Sequence, residues 1–150
     1  MGVAKVIASQ LGEVGIAVEV RSFEFATFFS DIKKGQFQLA SMQTAEIGNP
    51  DYYYTYFHSG RIPTKKDPDA NNRWRYRNPR VDELCQAGRD ELDPTRREAI
   101  YSELQRIVAQ EVPIAPLWHE DVVVLRNRDV RGFVLTPNAR LGGLARVTKN

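Results

Sequence analysis

The sequence has little cysteine and histidine, and this scarcity excludes several kinds of site. Cys85 is the only cysteine among 150 residues, so no disulfide can form within the chain and a four-cysteine zinc site is excluded. Neither His58 nor His119 has a second histidine three or four residues away, the spacing of helical metal sites. A Gly-rich phosphate loop and a Gly-x-Ser-x-Gly elbow are also lacking. The sequence therefore predicts a protein that is not an enzyme, without a metal site or a cofactor.

Long apolar runs and a strong charge of one sign are lacking too. No run of 18 apolar residues occurs, and Lys5, Ser9 and Gln10 interrupt the apolar start, so we expect neither a membrane span nor a cleavable signal sequence in this chain. The 21 basic and 19 acidic residues give a net charge of +2, too near balance for a general polyanion binder. A hydrophobic fraction of 42% favours one folded domain over a disordered chain.

Helical and strand-like patterns alternate at the start of the chain. Apolar residues at helical spacing lead to Gly15, which ends a first helix, and a strand over residues 16–20 follows at once. Ser22 is the predicted N-cap of a second helix that Gly35 ends, and a second strand covers residues 37–42. This alternation predicts an α/β fold with a mixed, mostly parallel sheet flanked by helices.

A long loop and two capped helices are predicted to follow. Residues 58–78 show no periodicity and contain Gly60, two prolines and an Asn-Asn pair, which predicts a surface loop. Asn78 and Asp93 each precede a proline, the pattern of an N-cap followed by the first helical residue. Beyond these helices, a strand is predicted over residues 122–125 and an edge strand over residues 130–135.

The end of the strand over residues 37–42 gives the candidate ligand site. Gln43, Thr44 and Glu46 lie where strand ends in open α/β sheets usually meet ligands. Tyr52 begins an aromatic run that either lines a pocket or covers the core beneath a loop. We favour the covering role for the run, with Tyr52 as the best candidate for ligand contact.

Two further features have a functional and a structural interpretation. The segment RWRYRNPR at residues 73–80 interleaves arginine with aromatic residues, as in proteins that stack on nucleic acid. We favour the alternative in which Trp74 and Tyr76 pack against the domain while the arginines face solvent. Cys85 lies on the inward stripe of a helix, which favours an inert buried thiol over a nucleophile.

Several separated strings carry a resemblance to a known family. They are LGEVGIAVEVRSFE at 11–24, GQFQLA at 35–40, GNPDYYY at 48–54, RYRNPRVDEL at 75–84, ELDPTRREAIYSELQRIVAQEVPIAPLW at 91–118 and VRGF at 130–133. The order and spacing of these strings resemble those in the extracellular solute-binding proteins of peptide- and nickel-type ABC importers, known as family 5. The resemblance implies a lobe of the type II periplasmic-binding-protein kind, with residues 1–150 as a single C-terminal lobe of a two-lobe protein.

The resemblance also implies a ligand, partners and a location. The ligand would be a short peptide or a related small molecule, bound between this lobe and an N-terminal lobe and delivered to an ABC permease. Glu46 matches the acidic position that holds a ligand ammonium group, whereas Gln43 stands where the family tends to have tryptophan. The parent protein would be periplasmic or membrane-anchored and extracellular. We expect the chain alone to bind ligand weakly and to self-associate. The alternative to a solute-binding lobe is a stand-alone protein-interaction or basic-loop nucleic-acid-binding module on a similar lobe.

Overall fold

The computed structural model forms two units, which are described separately here as Met1–Pro113 and Ile114–Asn150. The structure describes residues 2–43, 48–118, 121, 123–136 and 141–149. The regular elements described in the first unit are helices: α1 (Gly2–Glu13), α2 (Phe25–Lys34), α3 (Tyr52–Phe57), a 3-10 turn (Ser59–Arg61), α4 (Pro79–Asp90) and α5 (Pro94–Glu111). The second unit contains β1 (Val130–Arg131), a 3-10 segment (Leu141–Arg146) and β2 (Thr148–Lys149).

The first two helices end as predicted, but α2 begins later than predicted. Gly15 and Gly35 adopt φ angles of 81° and 74°, in the left-handed region that favours glycine at helix ends. The predicted N-cap Ser22 is wrong, because Glu24 occupies that position and its carboxylate accepts a hydrogen bond of 2.8 Å from the N–H of Ala26. A carboxylate at this position also interacts favourably with the partial positive charge of the helix N-terminus.

The predicted starts of α4 and α5 are confirmed. The side chains of Asn78 and Asp93 each accept a hydrogen bond of 2.9 Å from a backbone N–H in the first turn of the helix. Pro79 and Pro94 are the first helical residues, where a missing N–H leaves no hydrogen bond unmade. Both helices therefore start at positions fixed by local sequence.

The core of the first unit lies around α4, which packs against both α3 and α5. Gly88 of α4 makes a close approach possible, since a Cβ atom there would lie 2.8 Å from Cζ of Tyr101 on α5. The buried apolar residues described in this unit are Ile32, Phe57, Ile62, Ala70, Val81, Leu84, Cys85, Tyr101 and Leu104. The core thus joins four helices, α2 to α5, to the loop between α3 and α4.

That loop, predicted as a surface segment, is partly buried. Ile62, Ala70 and Asn72 are 6%, 0% and 0% exposed, so the prediction is wrong for the middle of the loop. The Asn72 amide donates to the carbonyls of Phe57, His58 and Tyr76 at 3.3, 3.1 and 2.9 Å, and its Oδ1 accepts from the N–H of Tyr76 at 3.0 Å. One buried side chain therefore supplies hydrogen bonds that a loop without periodic structure cannot make for itself.

The predicted mostly parallel sheet is not confirmed. Among the described residues, the sheet consists of β1 and β2 in antiparallel pairing, with Val130 opposite Lys149. The edge strand predicted over 130–135 is confirmed only for its first two residues, and residues 123–125 form no strand, while Val122 lies outside the described residues.

The segments 16–20 and 37–42 also form no strand, and Ile16 and Leu39 are 51% and 72% exposed. Period-two alternation specifies which faces an extended segment would bury, but a parallel strand also needs hydrogen bonds from a neighbouring strand. The described residues are therefore helix-rich. None of their helices has both the length and the apolar character to cross a bilayer.

Candidate functional site

The structure places only two of the four predicted ligand residues. Thr44 and Glu46 lie outside the described residues. Gln43 is exposed, and Tyr52 is a half-buried residue at the start of α3. Neither Gln43 nor Tyr52 lines either of the two clefts that are described below. The role of these four residues in ligand binding stays a prediction.

The aromatic run that begins at Tyr52 is helix α3, and its rings pack mainly on one another and on the loop. Tyr52 stacks on Tyr56 with ring centroids 4.4 Å apart, and Tyr56 stacks in turn on Trp74 at 5.9 Å. Phe57 is 3% exposed and contacts Trp74 at 5.6 Å. This arrangement fits the favoured interpretation, in which the run covers the core.

A cleft of about 420 Å³ lies between α2 and the segments on either side of it. We call it the α2 cleft. It is lined by residues of three segments: Glu19, Arg21 and Phe23 before the helix, Phe28, Asp31 and Ile32 within it, and Gln36, Phe37, Gln38, Leu39 and Ala40 after it. The last segment is the predicted strand that leads towards Gln43 and Glu46.

The α2 cleft combines charges of both signs with amide and apolar side chains. Arg21 and Glu19 form an exposed ion pair of 2.9 Å, and the hydrogen bond and charge of Arg21 lower the pKa of the Glu19 carboxyl. Asp31 supplies a second carboxylate, and the amides of Gln36 and Gln38 supply donors and acceptors. The sequence predictions missed this charged wall, although the Glu19-x-Arg21 spacing places both side chains on one side of an extended segment.

The basic segment 73–80, at the end of the loop, turns its aromatic rings inward. Trp74 and Tyr76 both contact Phe57, with ring centroids 5.6 and 6.1 Å apart. The Arg73 guanidinium lies 4.5 Å from the ring centre of Phe29 on α2. The predicted inward packing of Trp74 and Tyr76 is confirmed, and stacking of these rings on nucleic acid is not favoured.

The residues that catalysis would need are not assembled in the described structure. Cys85 is buried, and burial together with the negative charges of Asp82 and Asp51 raises the pKa of its thiol to about 12. A thiol with such a pKa stays protonated at neutral pH, which opposes a nucleophilic role. His119 lies outside the described residues, and among the residues that are described, no group of three His, Cys, Asp or Glu is suited to hold a metal ion.

Comparison with known proteins points first to a class. No protein-family model matches the chain. Several curated proteins named as dipeptide- or di/tripeptide-binding proteins match about nine-tenths of it. The predicted resemblance to peptide-type solute-binding proteins is therefore confirmed, and the names of these relatives describe binding proteins and not enzymes.

The individual relatives come from three bacteria. Di/tripeptide-binding protein 2 of Pseudomonas aeruginosa is 27% identical over 136 residues, which is 90% of this chain and 25% of that protein. The probable D,D-dipeptide-binding periplasmic protein DdpA of Escherichia coli is 29% identical over 90% of this chain and 26% of its own length. Dipeptide-binding protein DppE of Bacillus subtilis is 25% identical over 90% of this chain and 24% of its own length. The chain spans about a quarter of the length of the curated relatives it matches.

Proposed function

We propose that residues 1–150 form the C-terminal lobe of a solute-binding protein that captures short peptides for an ABC importer. The observation that carries this proposal is the similarity to di/tripeptide-binding proteins over 90% of the chain. The parent protein would be periplasmic or membrane-anchored and extracellular, with an N-terminal lobe that completes the ligand cleft and a permease that receives the ligand.

The chemistry of the α2 cleft supports a peptide as the ligand. At neutral pH a short peptide carries an ammonium group, a carboxylate and one or more amides. Asp31 offers a charge opposite to that of the peptide ammonium group, and Arg21 could bind the peptide carboxylate by exchanging it for its partner Glu19. Gln36 and Gln38 can bond to peptide amides. Phe28 supplies apolar surface for a peptide side chain.

Glu46 is proposed as the anchor for the peptide ammonium group. A charge-assisted hydrogen bond between a carboxylate and an ammonium group contributes about 1.5–3 kcal/mol. The segment 36–40, which lines the α2 cleft, precedes Gln43, Thr44 and Glu46 in the sequence, and this order supports the proposal. Tyr52 follows shortly afterwards at the start of α3.

Lobe closure would complete both the cleft and the fold. In the parent protein we propose that residues 16–20 and 37–42 pair as strands of a mostly parallel sheet. A ligand that binds between two lobes favours the closed state because it contacts both walls only there. The chain alone has one wall, so we expect its own affinity for peptides to be weak.

A chimera tests the proposal. Residues 1–150 replace the matching quarter of di/tripeptide-binding protein 2 from Pseudomonas aeruginosa, and calorimetry measures binding of di- and tripeptides. We expect saturable binding, and we expect Glu46→Gln to weaken it about tenfold or more because the neutral amide loses the charge-assisted bond. Glu98→Gln is the matched control, since Glu98 is an exposed residue of α5 outside the cleft.

The outcomes separate the two parts of the proposal. A folded chimera that binds no peptide contradicts the assignment of the chain as a peptide-binding lobe. A chimera that binds peptides equally well with Glu46→Gln and Glu98→Gln contradicts the role of Glu46 and leaves the lobe assignment standing. The isolated 150-residue chain, tested in parallel, should bind the same peptides far more weakly than the chimera.

A further inference from the structure

A second cleft of the first unit, with a volume of about 460 Å³, is strongly basic. It lies between the C-terminal part of α2 and the loop before α4, and it uses different residues of α2 from those of the α2 cleft. We call it the basic cleft. Its polar lining consists of Ser30, Lys33, Lys34, Thr64, Lys65 and Arg75, and among its described lining residues none is acidic.

Most of the positive charge in the basic cleft is not neutralised by neighbouring carboxylates. Lys33 pairs with the exposed Asp69 at 2.9 Å. No described carboxylate lies within ion-pair distance of Lys34, Lys65 or Arg75. The carbonyl end of α2 contributes a partial charge of only about −0.5. The combined positive charge of Lys34, Lys65 and Arg75 therefore exceeds the partial negative charge of the helix end, and the net charge of the cleft is positive.

Arg75 is held in place by an uncommon backbone conformation and by both sides of the cleft. Its φ of 58° lies in the left-handed region, where residues other than glycine are uncommon. Its guanidinium donates to the carbonyl oxygens of Lys33 and Pro63, each at 3.4 Å. A charged side chain fixed by α2 on one side and the loop on the other loses little freedom when it binds a ligand.

Two residues with hydroxyl groups, Ser30 and Thr64, line the basic cleft together with the lysines and Arg75. Thr64 Oγ1 accepts a hydrogen bond of 3.1 Å from the N–H of Asp67, which leaves the Thr64 hydroxyl hydrogen able to donate. Ser30 lines the α2 side of the cleft with a second hydroxyl. The residues that line this open cleft thus carry several N–H and O–H donors, the groups that bind an anion with three or four oxygens.

We propose that the basic cleft binds a phosphate group, either as free inorganic phosphate or as the headgroup of an anionic phospholipid. A phosphate oxygen accepts strong hydrogen bonds from lysine and arginine, and its charge matches the surplus of cations. The volume exceeds that of a bare phosphate and leaves room for a short substituent. This site is separate from the proposed peptide site, so either assignment can fail without the other.

The test measures phosphate and vesicle binding by the 150-residue chain at low ionic strength. Isothermal titration calorimetry follows inorganic phosphate, and co-sedimentation follows vesicles of 30 parts phosphatidylglycerol in 70 parts phosphatidylcholine, with pure phosphatidylcholine as the neutral comparison. The double variant Lys34→Gln, Lys65→Gln removes two cations from the cleft. The control Lys5→Gln, Lys66→Gln changes the net charge equally at exposed lysines that do not line it.

A second variant removes the third cation without straining the backbone. Arg75→Gly keeps the left-handed conformation, which glycine adopts readily, while it deletes the guanidinium. Each cleft variant should weaken binding about tenfold or more, and the control should change it less than about threefold. Circular dichroism checks that the variants are folded. If the lysine double variant does not fold, Lys65→Gln alone and Arg75→Gly should each weaken binding about tenfold or more.

Three results are informative. Saturable phosphate binding that the cleft variants weaken and the control retains supports the proposal with free phosphate as the ligand. Binding only to the phosphatidylglycerol vesicles, with the same pattern among the variants, supports it with the lipid headgroup as the source. Absence of binding to both probes, or equal loss in the cleft variants and the control, overturns it.

Discussion

Replacement of Asn72 by alanine tests whether one buried amide holds the loop before α4 in place. Asn72 is 0% exposed, and its side chain bonds to the backbone of Phe57, His58 and Tyr76. The alanine variant leaves these backbone groups without their partner, and water reaches them only if the loop opens. We therefore expect a large loss of stability from this single change.

The size of the loss follows from the number of hydrogen bonds. The two hydrogens of the Asn72 amide and its oxygen give three full hydrogen bonds, and each contributes about 1 kcal/mol net. The expected decrease in the free energy of unfolding is therefore about 3 kcal/mol, a large part of the roughly 5–15 kcal/mol of a typical domain. Asn71→Ala makes the same chemical change one residue earlier, where the side chain bonds only to Arg73 among the described contacts, and should cost less than about 1 kcal/mol.

Urea unfolding followed by tryptophan fluorescence measures both changes. The sequence has two tryptophans, so in a Trp118→Phe background all tryptophan fluorescence comes from Trp74, which packs on Phe57 in the first unit. We expect Asn72→Ala to lower the transition midpoint without changing the slope of the transition. A decrease below about 1 kcal/mol, or equal decreases for Asn72→Ala and Asn71→Ala, would refute the reasoning.

The remaining predictions concern packing, reactivity and association. In urea titrations, Gly88→Ala should lower the free energy of unfolding by about 1–3 kcal/mol, because the added methyl group meets the Tyr101 ring. Gly12→Ala is the control: the space around Gly12 is open, so this change should be neutral or stabilising. Cys85 should resist alkylation at pH 8 in the folded chain and react once urea unfolds it; fast labelling of the folded chain would contradict its burial and raised pKa. The chain should self-associate in sedimentation velocity runs, and Val6→Ser, which removes an exposed apolar side chain of α1, should reduce this; a monomer at high concentration would contradict it.

Features that depend on a few adjacent residues were predictable from the sequence. The caps Asn78 and Asp93 and the helix ends at Gly15 and Gly35 all lie where the sequence predicts them. Each depends on one side chain or on one permitted φ angle, so the required information lies within a single turn. The burial of Cys85 was predictable for a similar reason, since it follows from helical spacing.

Features that depend on distant partners were not predictable in the same way. Helix α3 consists of six residues, mostly aromatic, whose intrinsic helix preference is modest, and it packs against α4, far along the chain. The segment 16–20 has a strand pattern but no strand partner among the described residues. The α2 cleft combines residues on both sides of a helix, so its charged wall at Arg21 follows from the fold and not from one motif.

Helix α1 has a consequence for how the first unit opens. None of its 12 residues is fully buried, and its best-covered residues, Ala4, Ile7, Ala8 and Leu11, are half-buried. By contrast, α4 and α5 bury residues such as Val81 and Leu104 completely. A helix of this length is marginal in water without burial of a face. Amide hydrogens of α1 should therefore exchange with deuterated solvent through small local openings, while those at the centre of α5 should exchange only when the whole unit unfolds. The first unit would then behave as a cooperative body of α3, α4, α5 and the loop before α4, to which α2 adds the buried Ile32, with α1 as a segment that opens independently.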